Sequence, residues 1–235
     1  MAGSLQVNLS EKVIAVTGAF GALGAAVGTV LEGYGARVAH LDHAAAAAGS
    51  PVGSLAFGGI DLADESAATT VMNRIVQATG QLDGLVNIAG GFRFETLDGG
   101  TLETWDAMYR MNLRTAVCCC KAALPHLLKR GSARIVNVGA LGAVKAGAGM
   151  GAYAASKAGV AKLTEALAEE LKDRGITVNA VLPSTMDTAR NRIDMPNADF
   201  GRWVKPGAMG EVIAFLMSEA AGIVTGALIP VTGRT

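Results

Sequence analysis

The chain has 235 residues, 51% of them hydrophobic and 17% charged, and its 20 basic and 20 acidic side chains give a formal net charge of zero. That is enough apolar material for one large α/β domain over residues 1–235, and the neutral balance offers no basic face for nucleic acid or a membrane surface. The opening MAGSLQVNLSEK lacks the charged start and apolar core of a secretory signal. No apolar run nears the ~18 residues of a membrane span.

In chain order, residues 12–17 (KVIAVT) read as a buried strand. It runs into Thr17-Gly18-Ala19-Phe20-Gly21-Ala22-Leu23-Gly24 and then a helix over 22–34. Glycines there allow a tight turn and bring a pyrophosphate close to the helix N-terminus, whose free N–H groups favour anions. A second strand, 36–41, ends at Asp42, eighteen residues after Gly24. A carboxylate at that distance accepts hydrogen bonds from adenosine ribose hydroxyls and repels a 2′-phosphate, so NAD (as NADH) is expected over NADP. The glycine turn carries no Arg or Lys, and His43 is the one neighbour that softens the preference.

A weaker strand over 54–58 precedes Asp61-Leu62, where a side chain can meet the adenine, and a helix follows over 64–79. The strand 82–88 leads into Asn87-Ile88-Ala89-Gly90-Gly91, whose small residues leave room for a cofactor. Residues 102–130 read as one long helix containing Cys118, Cys119 and Cys120. Adjacent cysteines point in different directions from a helix, which suits small packed residues rather than a metal cage, so no metal is expected. Free thiols fit a reducing cytoplasm.

After a strand at 133–138, the helix 152–174 opens with Tyr153-Ala154-Ala155-Ser156-Lys157, which sets Tyr153 and Lys157 on one face. A nearby ammonium is expected to lower the phenol's pKa and make it a usable acid and base. The strand 176–182 leads to Pro183, Ser184 and Thr185. Residues 184–205 read as a mobile, substrate-covering loop, and a helix over 206–218 and a weaker strand over 227–231 close the pattern. This βαβ rhythm predicts a Rossmann-type, doubly wound, mostly parallel sheet of about seven strands with helices on both faces.

The glycine turn, Asp42, Asn87 to Gly90, Asn112, Tyr153, Lys157 and Pro183 resemble the short-chain dehydrogenase/reductase family in order and spacing, over essentially the whole chain. The resemblance implies an oxidoreductase in which Tyr153 and Lys157 are catalytic and Asn112 assists a water-linked proton relay. It also implies cofactor contacts from Gly18, Phe20, Gly21, Ala22, Leu23, Gly24, Asp61, Leu62, Asn87, Ala89, Gly90, Pro183 and Thr185. A homodimer or homotetramer paired through the two long helices is a further implication.

Two positions depart from the family. Ala22 stands where its pattern has glycine, with Gly21 one place early, and Ala140 stands thirteen residues before Tyr153, where the catalytic serine belongs. Ser184 and Thr185 are candidate substitutes for that hydroxyl. The missing serine, the Ala89-Gly90-Gly91-Phe92 segment and the stretch from Val181 to Trp203 resemble dihydropteridine reductases. They imply reduction of a quinonoid dihydropterin or similar conjugated acceptor, with Phe92 and Trp203 facing a planar ring. Asn112 is the ordinary short-chain residue instead. An alcohol/carbonyl enzyme with its serine replaced, and a non-catalytic nucleotide-binding protein, are the alternatives.

Overall fold

The computed structural model describes residues 7–45 and 55–235. Seven strands form one parallel sheet: β1 (Val13–Thr17), β2 (Arg37–Leu41), β3 (Leu55–Phe57), β4 (Gly84–Asn87), β5 (Ala133–Val138), β6 (Ile176–Pro183) and β7 (Leu228–Val231). Their order is β3-β2-β1-β4-β5-β6-β7. The chain winds outward from β1 in one direction and from β4 in the other, so the crevice for a ligand opens between the carboxyl ends of those two strands. Register levels those ends, for Thr17 pairs with both Leu41 and Asn87, and Asn87 with Asn137.

Strands buried on both faces need apolar residues on both sides, and β1 shows the division. Val13 and Ala15 join Met72, Ile75, Leu85, Leu127 and Ile135 in one core layer. Ile14 and Val16 join Val27, Leu31, Val136, Ile213 and Leu216 in the other. The first layer lies under α2 (Glu65–Thr79), α4 (Thr115–Leu127) and α5 (Gly151–Leu171), the second under α1 (Ala22–Gly33) and α7 (Pro206–Met217). Cys118, Cys119 and Cys120 are buried, unbridged members of the first layer. Burial pushes the Cys120 thiol up to about 12, so it packs as a small apolar group and not as a thiolate.

Two expectations are corrected. The helix over 102–130 is divided into α3 (Leu102–Met108), a π-helical turn (Tyr109–Arg114) and α4, and the segment is helical as far as Leu127. Nothing in the pattern of apolar residues marks that turn, because one inserted residue leaves helical character on both sides intact. Residues 184–205 are not a loose loop either. They hold α6 (Ala189–Asp194), a short 3₁₀ turn (Phe200–Arg202) and a bridge between Met186 and Val204. Ser54 at the head of the expected third strand, the rest of residues 46–54 and residues 1–6 lie outside the described residues. Among the described residues no helix is long and apolar enough to cross a membrane, and no cluster of His, Cys, Asp or Glu could hold a metal.

Candidate active site

A cleft of about 1580 Å³ opens at the carboxyl ends of the strands. That exceeds the roughly 300–1,000 Å³ of a single small-ligand pocket, leaving room for a dinucleotide and a substrate together. Its floor at one end is the glycine turn. Gly18 has φ +65°, and a Cβ there would stand 2.9 Å from the Ala89 backbone. A Cβ on Gly24 would stand 2.1 Å from the Gly18 carbonyl oxygen. Both positions therefore admit only glycine. Gly21 is different: it is the extended N-cap of α1, where a Cβ would meet nothing closer than 3.4 Å. No side chain caps α1, so its first N–H groups remain for an anion. Ala22, the departure from the glycine pattern, is exposed in the first turn.

Asp42 follows β2 and lines the cleft. Its carboxylate accepts from the Phe20 amide at 2.8 Å and the Ala44 amide at 2.9 Å, which fixes it over the turn. A carboxylate has about four lone-pair sites, so two remain for ribose hydroxyls. Asp61 and Leu62 line the wall beyond it; Asp61 accepts from the Ala63 amide at 3.0 Å and pairs with Arg110 at 2.5 Å. Phe20, Leu23, Ala89, Gly90, Pro183 and Thr185 also border the cleft. These groups fit a nicotinamide dinucleotide: a turn a Cβ would block, an uncapped helix end, and a held carboxylate where the ribose would sit.

At the other end, Tyr153, Lys157, Phe92 and Ala140 share the cleft wall. The Phe92 ring meets Tyr153 edge-on, with centroids 4.9 Å apart and planes at 82°. Lys157 is buried and donates to the Val138 carbonyl at 2.7 Å. The expected lowering of the tyrosine pKa is not found. Burial pushes the Tyr153 phenol up to about 12 and the Lys157 ammonium down to about 8. The reason is geometric: the ammonium is turned toward Val138, and desolvation alone governs both groups.

Three residues assigned from sequence do not line the cleft. Asn87 is buried beneath it, donating to Asn137 at 2.9 Å and Cys120 at 3.3 Å, so it joins β4 to β5 and α4. Asn112 lies in the π turn at 1% exposure. Its amide accepts from the Gly91 N–H at 2.9 Å and donates to the Gly91 carbonyl at 3.1 Å and the Ser156 hydroxyl at 2.9 Å. Through its side chain, then, Asn112 clamps the segment after β4. The Trp203 indole is buried against Phe200, centroids 4.8 Å apart, and packs the loop instead of facing a substrate. Ser184 borders the cleft, but its hydroxyl donates to the Thr232 carbonyl at 2.7 Å and lies 2.6 Å from the Thr235 hydroxyl.

Thr17 was not singled out by the sequence, yet its hydroxyl accepts from the Ile88 and Ala89 amides at 3.0 and 3.1 Å and sets the spacing of β1 and β4. A fully buried hydroxyl ending an otherwise apolar strand is the signal that could have found it. Arg110 and Arg114 were also missed. They reach from the π turn to Asp61 and to the Ala63 carbonyl.

Comparison with known proteins agrees with this geometry. Residues 12–197 match the short chain dehydrogenase family. A 2-(S)-hydroxypropyl-CoM dehydrogenase of Xanthobacter autotrophicus is 31% identical over 96% of this chain and 97% of its own. A 3-oxoacyl-(acyl-carrier-protein) reductase of Pseudomonas aeruginosa is 34% identical over 97% and 98%. The crystal structure of a 3-ketoacyl-(acyl-carrier-protein) reductase from Brucella melitensis, complexed with NADH, superposes with a TM-score of 0.85 at 27% identity, covering 96% of this chain and 98% of that one. The match over most of the chain, with the glycine turn, Tyr153 and Lys157 gathered in one cleft, places the protein in the short-chain dehydrogenase family.

Proposed function

We propose that the protein is an NADH-preferring reductase of a planar, conjugated electrophile, with a quinonoid dihydropterin as the best specific candidate. As a short-chain dehydrogenase it is an NAD(P)-dependent oxidoreductase. The observation that carries the finer reading is Ala140, a methyl group on the cleft wall where a ketone reductase needs a hydroxyl. Losing one oxyanion donor costs roughly 10²–10³ in rate, about 3–4 kcal/mol. The neighbouring serines do not supply it. Ser156 donates to the Tyr153 carbonyl at 2.7 Å and accepts from Asn112, and Ser184 is engaged with the C-terminal residues. A strongly electrophilic imine-like acceptor has no developing alkoxide for such a donor to stabilise.

When bound, the reduced nicotinamide supplies the hydride. The chain's own part is to deliver the proton from Tyr153, to hold the cofactor ribose near Lys157, and to offer the exposed Phe92 ring on the cleft wall to a flat acceptor. The preference for NADH rests on Asp42, whose fixed carboxylate repels a 2′-phosphate.

A second reading is favoured by the relatives, which include a 3-oxoacyl-(acyl-carrier-protein) reductase and a 2-(S)-hydroxypropyl-CoM dehydrogenase. There the substrate is a hydroxy or oxo compound, and Thr185 or water serves for the serine.

Oxidation of NADH with quinonoid dihydropterin, NADPH run in parallel, tests the first reading. Fast turnover with NADH and at least tenfold less with NADPH is expected. Ala140→Ser separates the two: it leaves pterin turnover within a few-fold, whereas a carbonyl pocket lacking only its serine would gain roughly 10²-fold on ketones. Ketone turnover without pterin turnover would overturn the first reading.

A further inference from the structure

Part of the cleft wall is built from the segment after β6, and one carboxylate stands at the neck of that segment. Thr185, Met186, Thr188, Ala189, Asn191 and Met195 border the cleft, and Asp187 lies in their midst without bordering it. Its side chain is only 6% exposed. Both Asp187 oxygens are taken: Arg192 donates to Oδ1 from Nε at 2.6 Å and to Oδ2 from Nη2 at 2.9 Å, and the Lys205 ammonium donates to Oδ2 as well.

These partners come from separate places in the segment. Lys205 stands where the chain leaves it for α7, and Arg192 lies on α6 in the middle. The backbone repeats the closure, with the Asp187 N–H donating to Val204 at 2.8 Å and the Val204 N–H to Thr185 at 3.0 Å. Beyond the hub, the Arg192 guanidinium lies 4.8 Å over the Phe200 ring, and Phe200 meets Trp203. The Asn191 amide donates to the Met186 carbonyl at 2.8 Å. α6 has six residues, too short to hold itself in water. What places it against the cleft is this set of contacts, and the bidentate pair between the nearly buried Asp187 carboxylate and the half-exposed Arg192 is the strongest class of contact among them.

We infer that Asp187 is a positioning residue for the acceptor: through Arg192 and Lys205 it holds α6 and the Met186–Asn191 wall at the substrate end, and it touches neither cofactor nor acceptor. The hydrogen bonds from the two cations keep its carboxyl far below the usual carboxylate range, so it is charged at neutral pH. The inference rests on the reading that this wall faces the acceptor, but not on which acceptor is reduced.

The test is Asp187→Asn, which keeps the size and removes the charge, assayed with whichever acceptor the wild type turns over. KM for the acceptor is expected to rise about 10- to 100-fold, with kcat within about threefold and NADH affinity, read by fluorescence titration, unchanged. Trypsin cleavage after Arg190 and Arg192 in the ligand-free protein should accelerate at least tenfold. Lys205→Met, which leaves the bidentate pair in place, should move both readouts in the same direction by less. Unchanged KM and unchanged proteolysis would overturn the inference. So would a parallel loss of NADH affinity in both variants, which would mean a general structural role. If no acceptor of either class turned over, the proposed function would fall, while the proteolysis and NADH titrations would still decide the role of Asp187.

Discussion

Tyr153→Phe is expected to lower turnover by roughly 10²–10⁴ while leaving the fold and the affinity for NADH as they are. The substitution removes one oxygen and keeps the ring, so the edge-on contact with Phe92 survives. Because burial holds the phenol at about 12, it carries its proton throughout the neutral range, and the site is loaded as an acid. Reduction should therefore show no loss of rate from a missing tyrosine proton between about pH 6 and 8. The reverse oxidation needs the phenolate, whose fraction rises about tenfold per pH unit below the pKa, so its rate should climb with pH through the alkaline range. Steady-state rates in both directions against pH, for wild type and Tyr153→Phe, check all three statements. A variant within threefold of wild type would remove Tyr153 from the chemistry.

Gly24→Ala should abolish measurable NADH binding, with an expected loss of at least 10²-fold in affinity, whereas Gly21→Ala should change it by a few-fold. A methyl at position 24 would stand 2.1 Å from the Gly18 oxygen and 2.6 Å from the Ala19 Cα, both backbone atoms that cannot swing aside. The start of α1 has to lift away from the end of β1, and the N–H groups meant for a pyrophosphate go with it. Strain of this kind costs typically 1–3 kcal/mol of stability as well, so the melting temperature should fall. At position 21 the nearest atom would be 3.4 Å away. Fluorescence titration with NADH and a thermal melt distinguish the cases; equal behaviour of the two variants would mean that the turn does not hold the cofactor.

Most of the framework was legible in the residues. The strand expected at 133–138 coincides with β5, the helix at 22–34 exceeds α1 by one residue, and the glycine turn, Asp42, Tyr153 and Lys157 all border one cleft. Those features are local: runs of buried apolar residues, turns that need glycine, and residues a helical turn apart. What was not legible depends on which way a side chain turns. Lys157 lies one helical turn from Tyr153, yet its ammonium goes to Val138. Asn87 and Asn112 occur where a resemblance puts functional asparagines, yet the Asn87 side-chain N–H groups and the whole Asn112 amide go to neighbouring strands, helices and loops. Residues 184–205 carry the Pro, Asn, Asp and Gly of a loose loop. Their order comes from Asp187 meeting Arg192 and Lys205, a tertiary arrangement that composition does not reveal. α6 escaped notice because six residues leave little periodicity to read.

The π turn sets stability and function against each other. Deleting one residue between Tyr109 and Arg114 would let α3 run into α4 as a regular α-helix, with better backbone hydrogen bonding. It would also turn the side chains on one side of the cut by about 100° relative to those on the other. Asn112 could then no longer face Gly91 while Arg110 and Arg114 face Asp61 and Ala63. A shortened chain that melts higher and binds its cofactor worse would be the signature of that exchange. A one-residue deletion is thus barred from a stretch whose backbone looks, by hydrogen bonding alone, like an imperfection.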